Sequence, residues 1–146
     1  MKRDYPERPI IGIGAVIVDG DRFVLVQRAR APHQGEWSIP GGMLECGESL
    51  KQGVIREARE ETSLEVEPLA LVEVFERIVR DPAGGIQFHY VIMDYLCRLK
   101  GGALRAGEDA ADARWLRQGE LEQLEIADGT IGVLQKALHT APKFHP

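Results

Sequence analysis

GGMLECGESLKQGVIREAREETSL, residues 41 to 64, is the stretch on which the reading of the whole chain turns. The run from Ser49 to Thr62 has no proline, and Ser49 with Gln52 three positions on has the form of a capping box. The pattern predicts a helix that starts near Ser49. Glu57, Glu60 and Glu61 crowd into that helix, and Glu45 and Glu48 stand in the loop that feeds it. At 3.6 residues per turn the three helical glutamates span an arc of roughly 100°. Like charges on one face repel, each pair costing about 0.2–0.5 kcal/mol in an isolated helix. A divalent cation would reverse the sign of that term. The plainer alternative is a solvated face with Arg56 and Arg59 as partners, the usual fate of a charge run.

Upstream, IIGIGAVIVD (Ile10–Asp19) is rich in β-branched residues and reads as a strand. Gly20-Asp21 is a hairpin signal, and RFVLVQRAR (Arg22–Arg30) is the returning strand. Val24 and Val26 face one side, Leu25 and Gln27 the other. APHQGEWSIPGG (Ala31–Gly42) reads as a loop, with Trp37 and Ile39 plugging it into the core. Gly41 and Gly42 let the backbone approach a ligand closely. Gly53, a weak helix former one turn before Glu57, has two readings: close packing against a strand, or clearance for metal and water.

Downstream, Val66–Asp81 and Ile86–Leu99 read as the two strands of a long hairpin closed by the DPAGG turn at Asp81–Gly85. An acidic loop from Ala106 runs into a short strand near Arg114–Leu116, followed by a short helix at Gly119–Leu124. Asp128–His139 reads as a terminal amphipathic helix capped by Asp128 or Thr130, with Ile131, Leu134 and Leu138 inward. The order β-β-loop-helix-β-β-β-helix gives an α+β class, a mixed or antiparallel sheet with helices on its faces. It is not the alternation of a dinucleotide-binding fold.

A length of 146 residues predicts one domain over 1–146, with an extended arm at 1–9 and a loose tail at 142–146. The net charge of −5 argues against a broad grip on a nucleic acid polymer. Cys46 and Cys97 have neither metal spacing nor the pairing of a disulfide framework, and a reduced, cytoplasmic setting fits them. MKRDYPERP is charged and proline-punctuated, unlike a secretory leader, and no apolar run is long enough to cross a bilayer.

Gly42, five residues, Glu48, seven residues and then the run Arg56-Glu57-Ala58-Arg59-Glu60-Glu61-Thr62-Ser63-Leu64 together resemble the Nudix box of the MutT-like Nudix hydrolases. The resemblance extends from about Ile10 to His139. VLVQRARAPHQGEWSIPGG is similar to the strand and loop before that box, and QFHYVIMDYLC with AGEDAADARWL resembles the ADP-ribose pyrophosphatase-like branch. The family usually has glycine where this chain has Ser63, which bears on the helix end and not on the acids.

The resemblance implies a Nudix-type α/β/α sandwich and hydrolysis of a nucleoside diphosphate derivative with Mg²⁺ or Mn²⁺. It implies an ADP-sugar such as ADP-ribose as substrate, with AMP and a sugar phosphate as products. By the same resemblance Glu57, Glu60, Glu61 and the Gly41 carbonyl are the metal ligands. Hard oxygens suit such ions, which bridge phosphate oxygens and acidify water. Arg56 pairs with Glu48 or Glu57, Glu48 orients the site or serves as an outer ligand, and Glu57 is the first choice for general base or principal ligand. Some family members take the base from a later loop, which here contains Glu108, Asp109 and Asp112, with Glu108 the first candidate. Arg28 and Arg30, at a strand exit before the glycine loop, are candidate phosphate contacts, and Gly41 and Gly42 candidate substrate contacts. Their alternative is plain surface charge.

His33 reads as an exposed loop residue or a substrate contact, and the facing of His89 is open. Trp37 and Trp115 read as core. Phe75, Phe88 or Tyr90 can stack an adenine. The hairpin at Val66–Leu99 and the arm are candidate homodimer surfaces. Competing activities are a nucleoside-triphosphate pyrophosphatase that removes oxidised nucleotides and, because RARAPHQGEW also resembles that branch, a GDP-sugar hydrolase. From another class comes a non-catalytic nucleotide sensor. Such proteins usually lack box acids or carry a DNA-binding domain, whereas this chain keeps every acid.

Overall fold

The computed structural model describes residues 2–30 and 33–141. The reading of a loose tail at 142–146, and the Ala31-Pro32 part of the glycine loop, lie outside the described residues. Seven strands and two α-helices are laid out as β1 (Ile10–Asp19), β2 (Arg22–Arg28), β3 (Trp37–Ser38), β4 (Gly41–Met43), α1 (Leu50–Thr62), β5 (Glu65–Arg80), β6 (Ile86–Gly101), β7 (Ala110–Leu116) and α2 (Thr130–Thr140). A 3₁₀ turn at Gln118–Gln123 precedes α2.

The strands form one mixed sheet in the order β3-β2-β1-β6-β5. β1 and β6 run parallel, with Gly14 opposite Asp94, and the other pairings are antiparallel. β2 leaves β1 after Val18–Phe23 and Asp19–Arg22 and pairs with β3 farther along that edge, while β7 runs along its other edge. The freed edge of β1 is taken by β4, with Gly12 opposite Met43, Ile13 opposite Gly42 and Gly14 opposite Gly41. This splay holds the glycine pair against the centre of the sheet.

Both faces are covered, as an α/β/α sandwich requires. Even-numbered β1 residues Val16 and Val18 join Phe23, Leu25, Leu96 and α2 residues Val133, Leu134 and Ala137. Odd-numbered Ile13, Ala15 and Ile17 join Val24, Tyr95, Cys97 and α1 residues Val54 and Ala58. Burial on both sides explains why β1 reads as an unbroken apolar run and not as an alternation. Truncating Leu134, only 1% exposed, to alanine should cost about 2–5 kcal/mol.

The α1 boundaries follow from its caps. Ser49 Oγ accepts from the Gln52 amide at 3.1 Å, and Gln52 Oε1 accepts from the Ser49 amide at 2.9 Å. Ser63 ends the helix in the left-handed region at φ 62° and donates its N–H to the Arg59 carbonyl.

Several expectations need correction. The stretch read as a loop contains β3 and β4, whose pairing partners are remote in sequence. β2 stops at Arg28, because the chain turns there and Arg28 Nε donates to the Arg30 carbonyl. β5 starts at Glu65 and runs through Pro68, which sits at a bulge and needs no ladder donor. β7 starts at Ala110. Neither Asp128 nor Thr130 caps α2: Gly129 does, at φ 83°, where a Cβ would lie 2.9 Å from the Phe75 ring. Ile131 is 46% exposed rather than inward, whereas Leu134 is buried and Leu138 packs against the core, joined by Thr130, Val133 and Ala137. Among the described residues no helix is long and apolar enough to cross a membrane.

Candidate active site

The acid helix meets the glycine strand edge-on. A Cβ on Gly42 would stand 2.5 Å from Glu57 Oε1, and a Cβ on Gly41 would stand 2.1 Å from the Ile13 carbonyl oxygen. Only glycine at both places lets Glu57 press against β4 while β4 pairs with β1. The Gly41 amide donates to Glu61 Oε2 at 3.3 Å. Gly53 lies under Ile13 and beside Glu48: a Cβ would meet them at 2.5 and 2.9 Å. It therefore serves close packing against β1, and the same absence of a side chain gives Glu48 room.

Arg56 is the hub. Its Nε and Nη2 hold Glu48 at 2.7 and 3.0 Å, its Nη1 holds Glu57 at 2.8 Å and Glu60 at 3.2 Å, and its Nη2 also donates to the Met43 carbonyl. The sequence left open whether Arg56 pairs with Glu48 or Glu57; it pairs with both. The guanidinium holds the Glu48 carboxyl below its ordinary range. Glu57 is raised, because burial outweighs the Arg56 bonds. Glu61 is pushed up to about 8, first by burial, then by Glu57, with Asp109 and Glu60 adding and the Gly41 amide opposing.

The acidic loop is tied to the end of α1. Arg105 and Gly107 amides donate to the Thr62 and Glu61 carbonyls, each at 2.9 Å. A Cβ on Gly107 would lie 2.2 Å from the Glu60 carbonyl. This tether brings Asp109 within electrostatic reach of Glu61. Glu108 points out to solvent beside it.

On the α2 side of the sheet, a cavity of about 840 Å³ opens along the same glycines. Gly12, Gly14, Gly41 and Gly42 line it, and it is walled by Phe75, Arg77, Phe88, Tyr90, Ile92 and Asp94 of the hairpin. Thr130 and Val133 of α2, Arg28 of β2, His33, and Arg3 and Asp4 of the arm complete it. The arm is held there by Tyr5, whose amide donates to the Gln87 carbonyl at 2.8 Å and whose hydroxyl donates to Asp81 at 2.8 Å. Phe88 and Tyr90 stack with centroids 6.4 Å apart. Trp37 is 3% exposed core, and its backbone bonds to Glu125 and Ala127 position the turn before α2.

The structure thus gathers Gly41, Gly42, Glu48, Arg56, Glu57, Glu60 and Glu61 at one place and puts Arg28 on the cavity wall. Arg30 is not on that wall: it is a surface cation, 3.8 Å from Asp109. Asp94, Thr130 and the arm had no sequence signal. Gly12 and Gly14 did have one, since glycines two apart in a strand leave the same face bare.

The acids fit a divalent cation by their chemistry. Hard oxygen donors stand along one rigid helix face, and burial, followed by the carboxylates around it, raises the proton affinity of Glu61. Among the described residues no three such ligands are already gathered around one point. Arg56, a single positive charge, stands among Glu45, Glu57 and Glu60 instead.

The chain is 32% identical over 116 residues to an ADP-ribose pyrophosphatase of Methanocaldococcus jannaschii, an alignment spanning 80% of this chain and 66% of that protein. It is 33% identical over 99 residues to the 8-oxo-dGDP phosphatase NUDT18 of Mus musculus, spanning 68% of this chain and 28% of that one. The chain thus spans about two thirds or less of the length of these relatives. Among solved structures, a MutT Nudix hydrolase from Burkholderia pseudomallei superposes with a TM-score of 0.76 at 32% identity, over 89% of this chain and 98% of that one. An ADP-ribose pyrophosphatase from Streptococcus suis superposes with a TM-score of 0.74 at 26% identity, over 94% and 96%. The NUDIX domain family profile matches residues 8–136, and the chain belongs to the Nudix hydrolase family.

Proposed function

We propose that this Nudix hydrolase cleaves the pyrophosphate of an ADP-sugar, ADP-ribose first among them, giving AMP and a sugar phosphate. The observation that carries the reading is the shared glycine edge. Gly41 and Gly42 form one wall of the aromatic cavity and also pack against Glu57 and Glu61. A nucleoside in the cavity has its phosphates at that edge, beside the acids. Similarity to ADP-ribose pyrophosphatases supports the substrate class.

Glu57, Glu60, Glu61 and the Gly41 carbonyl would hold Mg²⁺ or Mn²⁺. When bound, such an ion neutralises phosphate charge and acidifies water. Glu57 is the general base, accepting a proton from the water that adds to phosphorus as the P–O–P bridge breaks. Arg56 fixes the rotamer of Glu57 and is itself fixed by Glu48. Asp109, electrostatically coupled to Glu61, is the nearer acid of the late loop, and Glu108 is the alternative beside it. Arg28 contacts phosphate, and Phe75, Phe88 or Tyr90 supplies a stacking face.

Residues 1–146 act as a single catalytic domain in a cytoplasmic homodimer. The exposed apolar side chains Leu71, Val74 and Ile78 on edge strand β5 support the dimer.

Similarity to 8-oxo-dGDP phosphatases favours one second reading, removal of oxidised nucleotides. A substrate panel with products identified by mass separates them. AMP with a sugar phosphate supports the first reading, and a nucleoside monophosphate with phosphate or pyrophosphate supports the second.

A further inference from the structure

Asp94 is a buried carboxyl in an otherwise apolar row of β6. It is 6% exposed and lies on the wall of the cavity. Its carboxyl sits over β1: a Cβ on Gly14 would lie 2.1 Å from Asp94 Oδ1, so the strand is bare where the acid rests on it. Asp94 takes part in none of the hydrogen bonds or ion pairs among the described residues. Since no buried side-chain oxygen lacks a partner, its oxygens must reach the open space of the cavity. The cross-strand neighbour Glu73 gives no relief, being another acid, and Lys136 is engaged with Glu73. Burial and Glu73 push Asp94 up to about 7.

A ligand that fills the cavity displaces water from this carboxyl and must replace its hydrogen bond. Once ionised, the carboxylate repels a phosphate, so an anion is a poor match for it. The complementary group is an N–H donor on a flat heterocycle that fits between Phe75, Tyr90 and α2. We propose that Asp94 reads the substrate's nucleobase, accepting a hydrogen bond from an amino group on its edge. Adenine and guanine both carry such a group. Hypoxanthine has the purine shape without it, and presents a carbonyl where adenine has the amino group. The inference deepens the proposed function, since it assumes a nucleotide in this cavity.

Calorimetric titration of AMP, GMP and IMP into wild-type protein and Asp94→Asn tests it. Wild-type should bind AMP or GMP at least about tenfold tighter than IMP, since a site built to hydrogen-bond a substrate group penalises the analogue that lacks it. The variant should bring that ratio to within about twofold, because the amide can donate to a carbonyl. A purely structural role would shift all three affinities together. Asp94→Ser, which also removes the carboxylate, should lose the ratio as well. An unchanged ratio in both variants, equal binding of the three by wild-type, or no binding of any contradicts the proposal. GMP preferred over AMP keeps the role of Asp94 and moves the substrate to guanine nucleotides. AMP selectivity without ADP-ribose turnover rejects the proposed function alone.

Discussion

Arg56 grips Glu48 at two points, Nε to Oε2 at 2.7 Å and Nη2 to Oε1 at 3.0 Å. The two are eight residues apart, so the bond staples the loop before α1 to the middle of the helix. Both side chains are mostly shielded, at 21% and 13% exposure, so solvent screening weakens the bond less than in a surface pair. Arg56→Lys should keep the charge and lose the fork. We expect a loss of about 1–2 kcal/mol in denaturant unfolding and a larger fall in kcat than in substrate affinity, because Glu57 loses its support. Glu48→Gln should do the same more mildly.

Ser63 holds φ 62° at the end of α1, a region that disfavours a side chain. Ser63→Gly should therefore stabilise the protein by about 0.5–1 kcal/mol, read as a higher denaturant midpoint at unchanged slope. Turnover should stay within twofold, because no ligand is removed.

Glu61 has a pH signature. Its folded pKa of about 8 lies above the ordinary 4.5. Between those values the folded state holds a proton that the unfolded state has lost, so this group's contribution falls as pH rises through the window. Glu61→Gln cannot ionise. In EDTA its thermal midpoint should therefore gain on wild-type between pH 5 and pH 9, by on the order of 5 °C. A constant difference across that range would show that Glu61 ionises normally.

Leu71, Val74 and Ile78 are exposed apolar side chains on edge strand β5, with Glu76 between the last two. Val74→Lys should turn a dimer into a monomer in sedimentation velocity, with the fold retained by circular dichroism. A wild-type monomer at micromolar concentration would remove the dimer from the account.

What could be read from the sequence follows the range of the interactions. Helix α1 was legible because its start is written locally in Ser49 and Gln52, and the acid face because helical spacing places side chains directly. The long hairpin was legible from its turn, where Asp81 Oδ1 accepts from the Ala83 and Gly85 amides. β3 and β4 were not, since two- and three-residue strands exist only through their partners in β2 and β1. Asp94 was hidden in a run of β-formers, and it rests against Gly14 of the neighbouring strand β1, a pairing remote in sequence. The α2 cap was misread because Phe75, over fifty residues earlier, decides that residue 129 has no side chain. Arg30 was misplaced because β2 ends two residues before it.

The central claim is that the α1 acids hold a divalent cation which works on a pyrophosphate at the glycine edge. The most direct measurement is AMP release from ADP-ribose with Mg²⁺, with EDTA, and in Glu57→Gln, Glu60→Gln and Glu61→Gln, with thermal midpoints confirming that each variant is folded. The account predicts turnover with Mg²⁺, none with EDTA, and a loss of about 10²-fold or more in each variant. Equal AMP release with and without the cation, or wild-type rates in all three variants, would contradict it.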